Sequence, residues 1–593
     1  MPSIVHISAA GFELYLEGNA GSAEVSLSVE EIAEGLTHVN FSFRSPQPTR
    51  PSSLRLVWHL PLAGIHLRWF PGSGTDRTLL AEWRARRVCD SRNTLNAPVY
   101  ALFDSADRNS LTFALSDALN ATRLAAGVVE ETASVKCEVT LFAESSAPLV
   151  AYDVTLRLDT RPVPWHKTLA DTSDWWASMP SCAPAPVPDH ARLPMYSSWY
   201  SFHQRLSPTA ILEQCLTAKG LGMESIIVDD GWQTDDNSRG YAFCGDWLVT
   251  KSKFPAFAAH VKSVHDAGMK YILWFSVPFV GIHSKAYARF RDKVLNPAST
   301  DGWFVLDPRF REVREYLVGL YEKTVVEYGL DGLKLDFVDT FELTPETRDS
   351  FGGGRDIDSV PEAVDRLLTD TMSSLRAINP NILIEFRQSY IGPMMRKYGN
   401  MFRAGDVPGD YHGNRISTVD IRLISGSTPA HSDMVMWHPQ DSVESAAMQL
   451  IHTLFSVPQV SMLLDRIPTE HVEMLRFYLA FWRQHRDVLL DGIFEPAGPG
   501  MLYPVVIARN EAKLVAAVYA DAPVRMASGA PATLIFVNGT FVDRLIVDLS
   551  EPVGEKTLTV LSCRGEKLRR ETVRLAAGVN VVAVPPAGVA VIE

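Results

Sequence analysis

The chain has 593 residues and a formal net charge of −13, with 46% hydrophobic and 21% charged residues. This composition is typical of a soluble globular protein, and the length predicts about three units if one of them is a barrel of ~250 residues. The acidic balance argues against nucleic acid or an anionic membrane as the main partner, and no apolar run is long enough to predict a membrane-spanning helix.

The start of the chain lacks the basic and apolar regions of a signal peptide. The cysteines lie far apart without C-x-x-C spacing: Cys89, Cys137, Cys182, Cys215, Cys244 and Cys563. Neither a disulfide framework nor a zinc site is therefore expected, and a cytoplasmic location fits the pattern. We infer no metal and no cofactor from the sequence.

The rhythm of the sequence divides the chain into four parts. Residues 1–165 alternate apolar and polar residues in short runs between turns, which predicts an antiparallel β-sandwich. Residues 166–192 are rich in Pro, Ala and Ser and indicate a linker or a wrapped loop. Short β-type runs return over residues 491–593 and predict a small C-terminal antiparallel β-sandwich.

Between these parts, residues 193–490 alternate buried-type strands with amphipathic helices. Strands that alternate with helices imply parallel βαβ units, and several units over this length predict a (β/α)8 TIM barrel. A doubly wound sheet is the structural alternative, although no G-x-G-x-x-G follows a first strand.

Polar residues cluster where two predicted barrel strands end. One strand ends in Asp229 and Asp230, and another ends in Asp336, with Lys334 two residues earlier. Strand C-termini form the active-site face of a barrel, and residues two apart on a strand point the same way. A single Asp at such a place is more often a helix cap, but two strand ends of this kind favour a catalytic site.

Sugar hydrolysis needs two carboxyl groups, one as an ionised nucleophile or base and one as a protonated acid. Asp336 is the nucleophile candidate, and Asp406 and Asp410 are both candidates for the second group. Aromatic rings suit the apolar faces of sugars, and several tryptophans fall within the barrel region: Trp199, Trp232, Trp247, Trp274 and Trp303. His431-Ser432-Asp433 lacks a G-x-S-x-G elbow, so a helix start or a pocket edge is favoured over a hydrolase triad.

An ordered set of motifs carries a family resemblance. It comprises W-x-S-F-H (199–203), V-D-D-G-W (228–232), G-D-W (245–247), K-F-P (253–255), G-M-K (268–270), L-D-P (306–308) and K-L-D (334–336). Together these resemble the α-galactosidases of glycoside hydrolase family 36 over roughly residues 195–435. The resemblance implies a retaining, exo-acting α-glycosidase that acts on a small oligosaccharide or glycoconjugate, and it leaves a homo-oligomer open.

The resemblance also implies roles for individual residues. Asp336 would be the nucleophile and Asp406 the acid/base, with Asp410 as the alternative. The residues implied or suggested at the sugar are Asp229, Asp230, Trp247, Lys334, Trp199, Trp274 and Arg415, the last of which trails Asp406 at a longer spacing than the family pattern has.

The chain departs from the family after the strand NILI. Where the family has a Cys-Ser-Gly-Gly-Gly-like stretch that contacts the sugar around C2, this chain has Glu385 and Arg387. Both side chains are expected to point toward the pocket, where they either pair with each other or contact a substituent that galactose lacks. Arg403 adds to the expectation of a cationic pocket. The alternatives are therefore a different α-linked sugar, transglycosylation, or a non-catalytic carbohydrate-binding protein.

Overall fold

The computed structural model describes residues 3–593, and its centre is a barrel of eight parallel strands. In chain order these are β1 (Met195–Ser197), β2 (Ser225–Val228), β3 (Lys270–Ser276), β4 (Gly332–Asp336), β5 (Leu383–Arg387), β6 (Met401–Arg403), β7 (Ala430–His431) and β8 (Gln459–Val460). Every neighbouring pair from β1 to β7 is parallel, as is the pair β1–β8. Parallel bridges from His431 to Val457 and from Val435 to Val460 close the barrel between β7 and β8.

Helices cover the outside of the barrel. They span Trp199–Phe202, Pro208–Gly220, Phe257–Asp266, Lys285–Phe290, Arg311–Tyr328, Val360–Ile378, Met395–Tyr398, Tyr411–Ser425, Val443–His452, Thr469–Gln484 and Arg486–Asp491. A hairpin of Phe279–Gly281 and Trp303–Val305 is inserted between β3 and β4. The strands are buried because the helices and the barrel interior cover their two faces, which explains their nearly continuous apolar character. The prediction of a TIM barrel is confirmed.

The N-terminal domain consists of two six-stranded antiparallel sheets, as the alternating pattern predicts. One sheet contains Ser3–Ala9, Phe12–Gly18, Leu54–Pro61, Val88–Ser91, Thr122–Val129 and Ser134–Leu141, and the other contains Glu24–Ala33, Leu36–Thr49, Leu67–Trp69, Val99–Phe103, Asn109–Leu115 and Leu149–Asp159. Apolar side chains from both sheets form a shared core that includes Trp58 and Phe113.

The segment 166–192 differs from the linker expected there. Its first half belongs to a helix, Trp165–Ala177, which packs on the N-terminal sandwich and on the barrel helix Tyr411–Ser425. Trp165 and Trp176 are buried at its two ends, and Trp176 Nε1 donates to the Leu115 carbonyl oxygen at 2.8 Å. The prolines of this segment, which suggested a linker, all lie after the helix. They dominated the composition of residues 166–192, so the composition did not indicate that the segment begins as a helix.

The C-terminal domain has a seven-stranded and a three-stranded sheet. The larger sheet contains Ile493–Ala497, Val505–Arg509, Lys513–Val518, Thr533–Asn538, Val553–Leu561, Lys567–Leu575 and Val589–Ile592, and the smaller one contains Pro523–Met526, Arg544–Leu549 and Gly578–Ala583. Both sheets are antiparallel except for one parallel strand pair in each. Across residues 3–593, the structure contains no helix that is long and apolar enough to cross a membrane.

Loops of the N-terminal domain reach the face of the barrel at which its strands end. Asn96 N donates to the Ser389 carbonyl oxygen at 2.8 Å, just after β5. A Cβ atom at Gly392 would lie 2.2 Å from the Asn96 oxygen, so only glycine allows this close approach. Arg92 Nη2 donates to the Asp339 carbonyl oxygen at 2.8 Å, in the loop after β4. The N-terminal domain therefore supports the two loops that follow β4 and β5.

One buried carboxylate connects all three domains. Asp420, on the barrel helix Tyr411–Ser425, accepts hydrogen bonds from Trp69 Nε1 at 2.9 Å and from Arg77 Nη2 at 2.6 Å, both in the N-terminal domain. It also accepts one from the Tyr503 hydroxyl of the C-terminal domain at 2.7 Å. Because Arg77 is buried as well, Asp420 is the counter-ion that permits its burial.

Replacing this carboxylate tests its structural role. Asp420→Ala leaves Arg77 buried without a counter-ion, so we expect it to lower the free energy of unfolding by about 3–5 kcal/mol. Thermal unfolding followed by circular dichroism would show this as a clearly lower midpoint. Asp153→Ala is the matched control, since it removes an aspartate–arginine pair whose aspartate side chain is 60% exposed, and it should change the midpoint little. Equal midpoints for the two variants would contradict the assignment.

Candidate active site

Asp336, the last residue of β4, has hydrogen bonds to both carboxylate oxygens. Its Oδ1 atom accepts from Arg387 Nε at 2.7 Å, from Phe337 N at 2.9 Å and from the Tyr390 hydroxyl. Its Oδ2 atom accepts from Trp274 Nε1 at 3.0 Å. The donors fix the plane of the carboxylate, and the single donor on Oδ2 leaves that oxygen the more available of the two for bond formation.

The environment of Asp336 favours its charged form. Burial by itself would raise the pKa of this carboxyl, but the Arg387 guanidinium, the Lys334 ammonium and the hydrogen bonds from Tyr390 and Trp274 outweigh burial. They hold the pKa of Asp336 well below its ordinary value. Asp336 is therefore ionised at neutral pH, as a nucleophile must be.

The acidic pair at the end of β2 is held in two different ways. Asp229 Oδ2 accepts from Lys334 Nζ at 2.6 Å, so the Lys334 and Asp336 side chains do share the inner face of β4 as expected. Asp230 accepts from Gln204 Nε2 at 2.6 Å and from Gln233 Nε2 at 2.7 Å. Burial, with a contribution from the neighbouring Asp229, raises the pKa of Asp230 to about 6.

The glycine after this pair is required by the fold. Gly231 has a φ of 111°, and a Cβ atom there would lie 2.5 Å from the Cα atom of Gln204. This close approach brings the loop after β1, which carries Gln204, against the loop after β2.

A second group of charged residues surrounds Arg403 at the end of β6. Arg403 Nη1 donates to Asp433 Oδ1 at 2.5 Å and Nη2 donates to Asp406 Oδ1 at 2.9 Å, while Nε lies 3.6 Å from Glu385 Oε1. Asp433 also accepts from the Tyr200 hydroxyl at 2.9 Å. The cation is therefore shared by three carboxylates and is not available as a free positive charge.

Asp406 is the accessible member of this group, since its side chain is 50% exposed. Burial raises the pKa of Asp406, but Arg403, Lys334 and Arg387 together lower it more, so that its pKa lies below the ordinary value. Asp406 thus has the exposure that an acid/base residue needs to reach a glycosidic oxygen, and in the unliganded site it titrates in the acidic range.

The structure separates the two acid/base candidates. The Asp410 side chain accepts from Gly413 N at 2.9 Å at the start of the helix Tyr411–Ser425, which is the geometry of a helix N-cap. Asp410 is therefore engaged in helix capping, whereas Asp406 contacts the charged groups of the pocket. Asp406 remains the better acid/base candidate.

Arg415 does not lie where the resemblance implied. Its Nη1 atom contacts His452 Nδ1 at 2.9 Å, its Nη2 atom donates to the Leu502 carbonyl oxygen at 2.9 Å, and its guanidinium lies over the Tyr519 ring. These partners belong to the junction between the barrel and the C-terminal domain. Arg415 lies on the face of its helix that packs against the C-terminal domain, and this helical geometry explains why its side chain is not at the position that the resemblance implied.

Trp232, Trp247 and Trp274 pack together and form a wall beside Asp336. Trp247 packs against Trp274 and Trp232 with ring centroids 5.8 Å from each, and its buried Nε1 atom has no hydrogen-bond partner within the described part of the chain. Trp199 lies just after β1 and packs edge-on against His203. Trp303 stacks near Phe279 on the inserted hairpin. Trp274 contacts Asp336 directly, whereas Trp232 supports the wall through a bond from its Nε1 atom to the Trp274 carbonyl oxygen.

Glu385 and Arg387 both point inward from β5, but they do not pair with each other. Glu385 is fully buried and accepts from Gln459 Nε2 at 2.5 Å. Arg387 binds Asp336 instead, and its side chain is 18% exposed. The expected cationic pocket is not observed, because each of its cations has a carboxylate partner.

Several residues of the site could not be identified from the sequence. Tyr390, Tyr200, Gln204, Gln233 and Gln459 all hydrogen-bond to acidic residues of the site. They follow strand ends or lie in short strands, and none of them is a specified position of a motif; Tyr200 is the variable position of W-x-S-F-H. The backbone nearby does indicate a functional site in the structure. His203, Trp247 and Phe337 are non-glycine residues with positive φ values, and such residues concentrate at functional sites.

Comparisons with known proteins agree with this architecture. The family model described as Melibiase matches residues 187–389, which include β1 to β5. Alpha-galactosidase Mel36A of Lactobacillus acidophilus is 31% identical over 180 residues, which is 28% of this chain and 23% of that protein. Alpha-galactosidase AgaA of Geobacillus stearothermophilus is 26% identical over 156 residues, or 25% of this chain and 21% of that protein. The chain thus aligns in sequence with less than a quarter of the length of these two relatives.

Solved structures extend the likeness to the whole fold. The crystal structure of the GH36 alpha-galactosidase AgaA from Geobacillus stearothermophilus superposes with a TM-score of 0.65 at 14% identity, covering 98% of this chain and 83% of that one. The alpha-galactosidase from Lactobacillus brevis superposes with a TM-score of 0.64 at 16% identity, covering 98% and 81%. The chain is therefore similar to the Melibiase family over residues 187–389, and it shares the fold of GH36 alpha-galactosidases along nearly its whole length.

Proposed function

We propose that this protein is a retaining, exo-acting α-glycosidase of the α-galactosidase type. The observation that carries the proposal is the state of Asp336, an ionised carboxylate whose Oδ1 accepts three hydrogen bonds while Oδ2 accepts one. A half-exposed second carboxylate, Asp406, follows β6, two strands further around the barrel. An ionised carboxylate and a second carboxyl group near it are the parts that a double displacement requires.

In the first step, Asp336 Oδ2 forms a bond to the anomeric carbon as the bond from that carbon to the leaving oxygen breaks. Asp406 gives its proton to the leaving oxygen. In the second step, Asp406 removes a proton from water, the water oxygen bonds to the anomeric carbon, and the bond to Asp336 breaks. The sugar is released with its original anomeric configuration.

The acidic pair after β2 and Lys334 are the candidates for holding the hydroxyls of the terminal sugar. Trp247, which packs against Trp274, offers an apolar ring and an Nε1 donor that has no partner among residues 3–593. Variants of AgaA from Geobacillus stearothermophilus form crystalline complexes with stachyose and with raffinose. We therefore propose small α-galactoside oligosaccharides as the substrate class. We also propose a cytoplasmic location, which the free, buried cysteines support because such thiols persist in a reducing compartment.

A second candidate function follows from the departure at β5. Arg387 stands where the family has small residues near the sugar C2, and it adds a bulky cation beside the nucleophile. This favours the alternative that the same barrel prefers another α-linked sugar, or transfers the glycosyl group to a second sugar. A panel of nitrophenyl α-glycosides, with identification of the released sugars, separates these candidates from each other and from a non-catalytic carbohydrate-binding protein.

The nucleophile assignment predicts the behaviour of Asp336→Asn. The carboxamide is nearly isosteric with the carboxylate but is a poor nucleophile, so turnover of every active substrate in the panel should fall by at least about 10³-fold. Circular dichroism and thermal unfolding should show an intact fold. Near-normal activity in this variant would contradict the mechanism, and proton NMR that shows the inverted anomer as the first product would contradict retention.

The acid/base assignment predicts a dependence on the leaving group. Asp406→Ala should slow the hydrolysis of oligosaccharides much more than the first step with nitrophenyl glycosides, whose leaving group needs little protonation. Added azide should partly restore turnover of the activated substrate, because a small anion needs no general base. Asp410→Ala is the matched control and should weaken the helix start without creating azide rescue.

The lowered pKa of Asp406 predicts the pH dependence. The acid must be protonated in the free enzyme, and the protonated fraction falls as the pH rises through a pKa that lies below the ordinary carboxyl range. The kcat/KM value for an oligosaccharide should therefore be highest at acidic pH and fall toward neutrality. The value for a nitrophenyl glycoside should fall less, and equal profiles for the two substrates would count against Asp406 as the acid.

A further inference from the structure

Two arginines stand side by side at the ends of neighbouring barrel strands. Arg387 of β5 and Arg403 of β6 are direct partners in the parallel register. Arg387 Nε donates to Asp336 at 2.7 Å, and Arg403 Nη2 donates to Asp406 at 2.9 Å. Each of the two carboxylates proposed for catalysis therefore has its own guanidinium, and the two guanidiniums belong to adjacent residues in the barrel.

Several contacts fix the position of the Arg387 side chain, but they do not use all of its hydrogen-bond donors. Its Nη1 atom donates to the Gln388 carbonyl oxygen at 2.9 Å, and its guanidinium carbon lies 5.1 Å from the Phe337 ring centroid and 5.4 Å from that of Tyr390. Within the described residues, its Nη2 atom makes no hydrogen bond. The side chain therefore has a fixed position and one donor group left for a second acceptor.

The proposed reaction moves one negative charge between the two carboxyl groups. Before the first step, Asp336 is a carboxylate and Asp406 is protonated. After the leaving oxygen takes the proton from Asp406, Asp336 is a neutral ester and Asp406 is a carboxylate. The total charge of the site is unchanged, but Arg387 has lost the partner that permits its burial.

We propose that Arg387 is a positioning residue that acts as the counter-ion of both catalytic carboxylates in turn, binding Asp336 in the resting enzyme and stabilising ionised Asp406 in the glycosyl-enzyme. The proposal rests on the proposed function. It gives the departure at β5 a role in the reaction, because a cation that binds Asp336 and lies beside Arg403, the residue that binds Asp406, can balance the charge before and after it moves.

Other charged and titratable groups lie near Asp406 and near Arg387. Those that surround Asp406 are Arg403, Lys334, Asp433 and Tyr200, and those that surround Arg387 are Asp336, Asp339, Tyr390 and Arg403. Arg403 and Lys334 are already bound to Asp433 and Asp229, at 2.5 Å and 2.6 Å. Arg387 differs from these two cations because its carboxylate partner is the residue that loses its charge in the reaction.

The first experiment measures kcat/KM against pH, with an oligosaccharide substrate, for the parent protein and three variants. Arg387→Gln removes the cation, so the pKa of Asp406 should rise and the alkaline limb should move to higher pH by on the order of half a pH unit. Arg387→Lys keeps the charge, and its alkaline limb should stay close to that of the parent. Tyr390→Phe removes a donor that binds Asp336, and it should leave the alkaline limb in place.

The second experiment does not depend on turnover. Selective ¹³C labelling of aspartate carboxyl groups allows Asp406 to be titrated by NMR, with its signal assigned by its loss in Asp406→Asn. Asp336→Asn imitates the neutral ester, so Arg387 then has no charged partner at position 336. In this background Arg387→Gln should raise the pKa of Asp406 more than it does when Asp336 is present.

The outcomes separate the inference from the proposed function. If the parent protein hydrolyses none of the α-glycosides, the proposed function fails, whatever the titrations show. If the parent is active but Arg387→Gln moves neither the alkaline limb nor the Asp406 titration, Arg387 serves Asp336 alone and the inference is overturned. A raised Asp406 pKa in Arg387→Gln, with the larger effect in the Asp336→Asn background, supports it. Thermal unfolding of each variant identifies any change that comes from a damaged fold.

Discussion

Buried negative charge is the constraint that the face formed by the C-terminal ends of the barrel strands must satisfy. Carboxylates from β4 and β5 and from the loops after β2, β6 and β7 converge there, and an ionised carboxylate is costly to bury without a partner. Three consecutive strands supply the cations. Lys334 of β4 binds Asp229, Arg387 of β5 binds Asp336, and Arg403 of β6 binds Asp406 and Asp433. Without these pairs the site could not remain both buried and charged.

The pairing also sets what each carboxyl group can do. Asp336 and Asp230 are both buried aspartates, yet the pKa of Asp336 is lowered while that of Asp230 is raised to about 6. The difference comes from their partners, because cations face Asp336 whereas Asp230 has two neutral glutamine amides and the charge of Asp229 beside it. Opposite shifts in like residues are typical of sites that perform acid–base chemistry.

Sequence reasoning reached the parts of the fold that depend on local periodicity. Strand–helix alternation predicted the barrel, and the spacing of Lys334 and Asp336 placed both side chains on one face of β4. It did not predict the helix Trp165–Ala177, because the prolines that follow it dominated the composition of that segment. The helix forms against two domains at once, and a contact of that kind leaves no local pattern in the sequence.

Hydrogen-bond partners that come from distant strands could not be predicted from the sequence either. The inward direction of Arg387 followed from strand alternation, but its choice of Asp336 over Glu385 depends on the register between β4 and β5 and on the depth of each side chain in the barrel. The misplacement of Arg415 has the same origin. A motif position implied a pocket residue, whereas the rotation of its helix turned the side chain toward the C-terminal domain.

The contact of Asn96 with the loop after β5 has a consequence for how such a protein diversifies. Ser389 and Gly392 belong to the barrel, but their backbone is seated on a loop of the N-terminal sandwich. Changes in that loop can reshape the backbone that follows Arg387 without altering β4, the strand that carries Asp336. The sandwich and the barrel therefore shape this loop together, and under the proposed function we expect an exchange of the sandwich between homologues to change the preferred sugar more than the chemistry at Asp336.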